Sequence, residues 1–183
     1  EKYGMIFAVS AITMRLFTEE YRNRTYDLLL TSPVTATEIA VGKLIAGVLT
    51  GWALLGIAAL YPMSLVFFGK LEWGPFASSL LGLALLTAVY VAIGMFASSI
   101  TQSTVVAVIL APIFNMMLWF MGAISEMASE PVVRDVFDHM NIATHLGSFM
   151  KGNPSLSGVV FFMSAVFLFT FLTQRVVESS RWR

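Results

Sequence analysis

The chain contains no cysteine. That excludes a disulfide framework, a thiolate metal site and a cysteine nucleophile, and leaves the redox compartment open. Charge is equally scarce. Asp, Glu, Lys and Arg make up 12% of 183 residues, with a net charge of zero. A soluble domain carries about twice that share. A balanced, sparse charge also lacks the basic footprint of a nucleic-acid-binding protein, so no nucleic-acid partner is expected. No G-x-x-x-x-G-K-[ST] phosphate loop is present. The "GKL" at Gly42 to Leu44 lacks both the preceding Gly and the following Ser or Thr. No Ser/His/acid motif and no cleavable signal peptide is visible. Formal charge is also almost missing from the middle of the apolar runs, where proton-coupled carriers keep Asp, Glu, Lys or His.

What the chain has is hydrocarbon. It is 57% hydrophobic, with a mean hydropathy of +0.80. A membrane span needs about 20 apolar residues. Leu44 to Phe68, Phe76 to Ser98 and Val105 to Ile124 qualify, and Leu156 to Thr173 nearly does. Gly4 to Met14 is a shorter fifth run, and we expect residues upstream of Glu1 to complete it. The fold class is therefore an all-α polytopic membrane protein. Residues 1–183 form one transmembrane domain, with a polar elbow at 19–43 and an amphipathic segment at 126–155.

Parity and the distribution of Lys and Arg set the orientation. Arg15, Arg22, Arg24, Lys43, Arg175, Arg181 and Arg183 fall on one side, which is expected to be cytosolic. Lys2, Lys70, Arg134 and Lys151 fall on the other, diluted by acids. "GKLEWGP" (Gly69 to Pro75) reads as a short outer turn with Trp73 at the interface, and "SSITQST" as a tight inner turn. In the outer segment, Ser129 is a candidate cap and Pro131 the first helical residue, so a helix is predicted over Pro131 to Met140. Val133, Val136, Phe137 and Met140 would form its apolar face, opposite Arg134, Asp135 and Asp138. "GNPS" (Gly152 to Ser155) breaks the segment before the last span. Gly47 and Gly51 form a G-x-x-x-G, which favours close helix packing.

The elbow is the densest polar stretch, with Glu19, Glu20, Arg22, Arg24, Asp27, Glu38 and Lys43. Thr35 and Glu38 have the spacing of a capping box. Pro33 forbids smooth helix continuation from before it. One helix should therefore end near Thr31 and another start at Thr35, running into the span from Leu44. The earlier piece has i, i+4 ion-pair spacing in Glu20/Arg24 and Arg15/Glu19. The residues alone leave two readings: a rigid element that transmits force, or a capped turn that only reverses the chain.

Among polar residues near or within the spans, Pro112 and Asn115 are candidates for a pathway or an inter-helix contact. His139 and His145, six apart, read as solvated rather than as metal ligands with Asp138. Glu126 reads as interfacial. Met116, Met117, Met121 and Met127 read as gap-filling side chains rather than copper ligands.

"MRLFTEEYRNRTYDLLLTSPVTATEIAVGKLIAG" (Met14 to Gly47) resembles the signature of type-2 ABC transporter permeases of the gliding-motility (Gld) type. Met14, Arg15, Glu19, Glu20, Thr25, Leu28 to Leu30, Thr31, Pro33, Val34, Gly42 and Lys43 carry the likeness. "YVAIGMFASSITQSTVVAVILA" and "HLGSFMKGNPSLSGVVFF" through "VVESSRWR" extend it over nearly the whole chain. Arg24 departs from the family's Gly and Tyr26-Asp27 from its Leu-Glu. The resemblance implies six spans, one of them upstream of the first run here. It also implies a location in the bacterial cytoplasmic membrane. The chain would be a non-enzymatic permease working with a second permease copy or a paralogue and with separate ATPase subunits, which bind the ATP and Mg. A periplasmic or membrane accessory subunit is a further expected partner. The segment between the second and third spans would be the coupling element, so Glu19, Glu20, Arg22, Arg24, Thr25, Asp27, Leu28, Thr31 and Pro33 are the candidate contacts to the ATPase. The alternative is a non-transporting ABC complex that exerts force on a membrane or periplasmic partner. A channel or scaffold without an ATPase would leave the elbow idle.

Overall fold

The computed structural model describes residues 35–63, 72–101, 103–127 and 130–180. The first apolar run and the elbow up to Val34 lie outside the described residues. Among the described residues there are six α-helices. They are α1 (Ala36–Met63), α2 (Trp73–Ile100), α3 (Thr104–Met127), α4 (Pro131–Met140), α5 (Ile142–Met150) and α6 (Leu156–Ser180). Four of them, α1, α2, α3 and α6, are long and apolar enough to cross a membrane. The fold is all-helical and the protein is a multi-pass membrane protein.

The helix ends follow local chemistry. The α1 start is a reciprocal capping box. The Glu38 amide donates to Thr35 Oγ1 at 3.2 Å, and the Glu38 carboxylate accepts from the Thr35 amide at 2.8 Å and its hydroxyl at 2.9 Å. The α2 helix starts earlier than the apolar run suggests. Trp73, Gly74 and Pro75 belong to it rather than to the turn, since proline is tolerated in a first helical turn. Between α2 and α3 the chain reverses tightly, and Thr101 Oγ1 accepts from the Ser103 amide at 3.1 Å.

The α4 helix spans Pro131–Met140, as the sequence predicts. Its cap is Glu130 rather than Ser129. Glu130 is extended (φ −86°, ψ 127°), the conformation a following proline imposes, and makes no side-chain capping bond. The segment then continues as a second helix, α5, which the sequence reading treats as undivided amphipathic chain. Asn141 ends α4 and starts α5, its side chain accepting from the Ala143 amide at 2.9 Å.

The described residues divide into two compact units, each taking a segment of all four long helices. The first comprises the described parts of Glu1–Gly51, Thr87–Asn115 and Ala165–Arg183. In its core Val89 to Met95 are buried without a break, and α1 approaches α2 at Gly51. A Cβ there would lie 2.5 Å from Thr87 Cγ2, so the small residue of the G-x-x-x-G is required by contact. Phe96 of α2 packs on Phe114 of α3 and Phe169 of α6, with ring centroids 6.1 and 5.8 Å apart.

The second unit is Trp52–Leu86 with Met116–Ser164. Phe149 of α5 is fully buried and wedged between two glycines. A Cβ on Gly82 of α2 would lie 2.7 Å from Phe149 Cβ, and one on Gly158 of α6 2.7 Å from Phe149 Cε2. Gly152, with φ +79°, carries the chain past Pro75, where a Cβ would meet the proline at 3.1 Å. Trp52 of α1 donates its indole N–H to the Ala84 carbonyl at 3.1 Å.

Candidate functional site

The candidate coupling residues Glu19, Glu20, Arg22, Arg24, Thr25, Asp27, Leu28, Thr31 and Pro33 lie outside the described residues. The described part of the elbow is its exit. From Thr35 onward the backbone is capped and helical without interruption to Met63. No loop separates Thr35 from the span, and Pro62 is the one residue of the helix interior without an N–H to donate.

Pro112 and Asn115 lie one turn apart in α3. Pro112 is half-buried and offers no N–H to the Val108 carbonyl, which loosens the helix at that point. Asn115 is fully buried within its unit. Both belong to the unit that also holds Phe96 and Phe114.

The two histidines do not share one environment. His139 is exposed, but His145 is not the solvated side chain that the sequence reading expects. It is 9% exposed and stacked on Phe161, with centroids 4.5 Å apart and planes at 19°. The α4–α5 break at Asn141 turns α5 so that His145, Leu146 and Phe149 all face inward. Asp138 also departs from its expected position on a solvated face. It is half-buried, and its Oδ1 accepts from the Ser125 hydroxyl at 2.5 Å, tying α4 to α3. Val136 and Met140, of the predicted apolar face, are exposed. Among the described residues no three His, Asp or Glu side chains come close enough together to hold a metal ion.

These residues surround a cavity of about 380 Å³ between α4, α5 and the start of α6. Every residue lining it has a polar side chain, Asp135, Asp138, His139 and His145 among them, and none is Lys or Arg. Sequence reasoning missed this site because its residues are spread over twenty-odd positions and join only through the helix break. The available signal was Asn141 itself, a capping residue in the middle of an amphipathic stretch.

Compared with known families, residues 3–174 match the family model described as ABC-2 family transporter protein. No curated protein and no solved structure matches the chain.

Proposed function

Because the chain belongs to the ABC-2 family of transporter proteins, in which it is a membrane-spanning permease subunit of an ABC transporter, we propose that it couples ATP hydrolysis by a separate ATPase subunit to export of a substrate across the bacterial cytoplasmic membrane. ATP and Mg are held by that subunit, and a second permease copy or paralogue completes the pathway. Within the family, the gliding-motility type is the subgroup whose signature the segment from Met14 to Gly47 resembles.

The observation that carries the coupling role is the reciprocal Thr35–Glu38 box at the head of an uninterrupted α1. In this reading the elbow between Glu19 and Pro33 seats on the ATPase, and the box makes Thr35 the rigid first residue of the helix that follows. The test is purification of the complex carrying Glu19→Lys and Glu20→Lys. Charge reversal at a partly wet interface should weaken docking, so co-purification of the ATPase and its substrate-independent ATP hydrolysis should both fall. If both stay unchanged, the elbow only reverses the chain. Loss of docking in the variant, together with a failure of vesicles bearing the unmodified complex to accumulate any exported solute, would favour the force-transmitting complex over the exporter.

A further inference from the structure

We propose that the cavity between α4, α5 and the start of α6 is a binding site for a primary ammonium group. The reasoning is a count of hydrogen-bonding valences, and it does not rest on the ATP-coupling assignment.

A backbone carbonyl can only accept. His139 Nδ1 lies 3.2 Å from the Asp135 carbonyl oxygen, so Nδ1 carries the proton and Nε2 of the neutral ring is an acceptor. His145 Nε2 lies 3.0 Å from the His139 carbonyl oxygen, so here Nε2 carries the proton and Nδ1 is the acceptor. That Nδ1 has no hydrogen-bond partner among the described residues, although His145 is nine-tenths buried, clamped on Phe161 and part of the cavity wall. Two of the four hydroxyls in the wall are engaged, and those of Thr144 and Ser157 are open to accept or donate. Ser148 donates to the His145 carbonyl at 2.7 Å, and Ser155, which accepts from the Gly158 amide, has its own proton left for Ser148 at 3.3 Å. Asp138 Oδ1 takes the Ser125 proton and Oδ2 remains, while the Asp135 carboxylate adds a second negative charge.

The wall thus presents two carboxylates, two imidazole lone pairs and four hydroxyls that can accept, with no Lys or Arg among the lining residues. A complementary ligand must bring positive charge and several N–H donors. A bare metal ion would meet the charge requirement, but no three ligating side chains converge among the described residues. An R–NH₃⁺ group, compact and with three donors, meets both. A trimethylammonium group has the charge but no donor. The amine can come from a free small molecule or from the headgroup of an aminophospholipid.

The full chain is reconstituted in phosphatidylcholine nanodiscs, and ethanolamine or choline is titrated calorimetrically. Ethanolamine should bind saturably and choline should not. Asp135→Asn, at an exposed position, should weaken ethanolamine about tenfold or more, and adding Asp138→Asn, which keeps an acceptor for Ser125, should weaken it further. Repetition in nanodiscs containing phosphatidylethanolamine separates the two sources. Suppressed ethanolamine binding identifies the lipid headgroup as the occupant, and unchanged binding identifies the free amine. No saturable ethanolamine binding in phosphatidylcholine, equal binding of choline, or indifference to Asp135→Asn would each overturn the site.

Discussion

Phe149 shows what a single residue does in this molecule. Its ring reaches the core of its unit only because Gly82 and Gly158 have no side chains on either flank. Within lipid, close backbone approach and dispersion supply much of the helix–helix attraction, so these two glycines are contacts rather than gaps. Gly82→Ala would place a Cβ 2.7 Å from Phe149 Cβ and 2.9 Å from Cγ. The Cβ of Phe149 is fixed to its backbone and cannot swing away, so the substitution should cost about 1–3 kcal/mol. Gly56 is the control. A Cβ added there would meet nothing within 4 Å, and removing a helical glycine at that point should be neutral or stabilising by up to about 1 kcal/mol. Thermal unfolding of the two variants in the same detergent compares them directly. Equal melting temperatures would mean that α5 is not held by this wedge.

At the scale of elements, the box at the head of α1 is a local device with a local test. Thr35→Ala removes both the acceptor for the Glu38 amide and the hydroxyl that donates to its carboxylate, for a loss of about 0.5–2 kcal/mol of cap stability. Thr35→Ser keeps the hydroxyl and should keep most of the cap. Hydrogen exchange at the Glu38 amide should therefore quicken several-fold in the first variant and change little in the second, with the spans intact in both. This box was legible in the sequence, as were the α4 boundaries at Pro131 and Met140, because each rests on contacts within one or two turns. The burial of His145 and the inward turn of Asp138 were not legible in the same way. They depend on Ser125, Phe161 and Gly122, which lie 13, 16 and 19 residues away from Asp138, His145 and Asn141. A Cβ on Gly122 would meet Asn141 Nδ2 at 2.5 Å, so α3 sets where the α4–α5 break can sit. Helical periodicity carries no information about such partners.

At the scale of the whole molecule, the path of the chain fixes which ends share a side of the membrane. The helices α2, α3 and α6 are each long and apolar enough to cross, so the expected path is out and back from Trp73 and across again to Ser180. The contact of Gly152 with Pro75 is an independent check, since it joins the start of α6 to the start of α2 within one unit. Gly74 and Ser179 are then expected on opposite sides. The Lys and Arg distribution along the sequence gives the expected orientation: the polar segments on the Ser179 side carry Lys43, Arg175, Arg181 and Arg183, whereas those on the Gly74 side carry Lys70, Arg134 and Lys151 offset by Glu72, Glu130, Asp135 and Asp138. The absence of native cysteine makes this measurable without a background. Gly74→Cys enters open space, and Ser179 is exposed. A membrane-impermeant maleimide should label Gly74→Cys in intact spheroplasts and Ser179→Cys only after the membrane is opened. The opposite pattern would invert the orientation and move the ammonium cavity to the cytosolic face. Labelling of both from one side would contradict the three crossings expected between them.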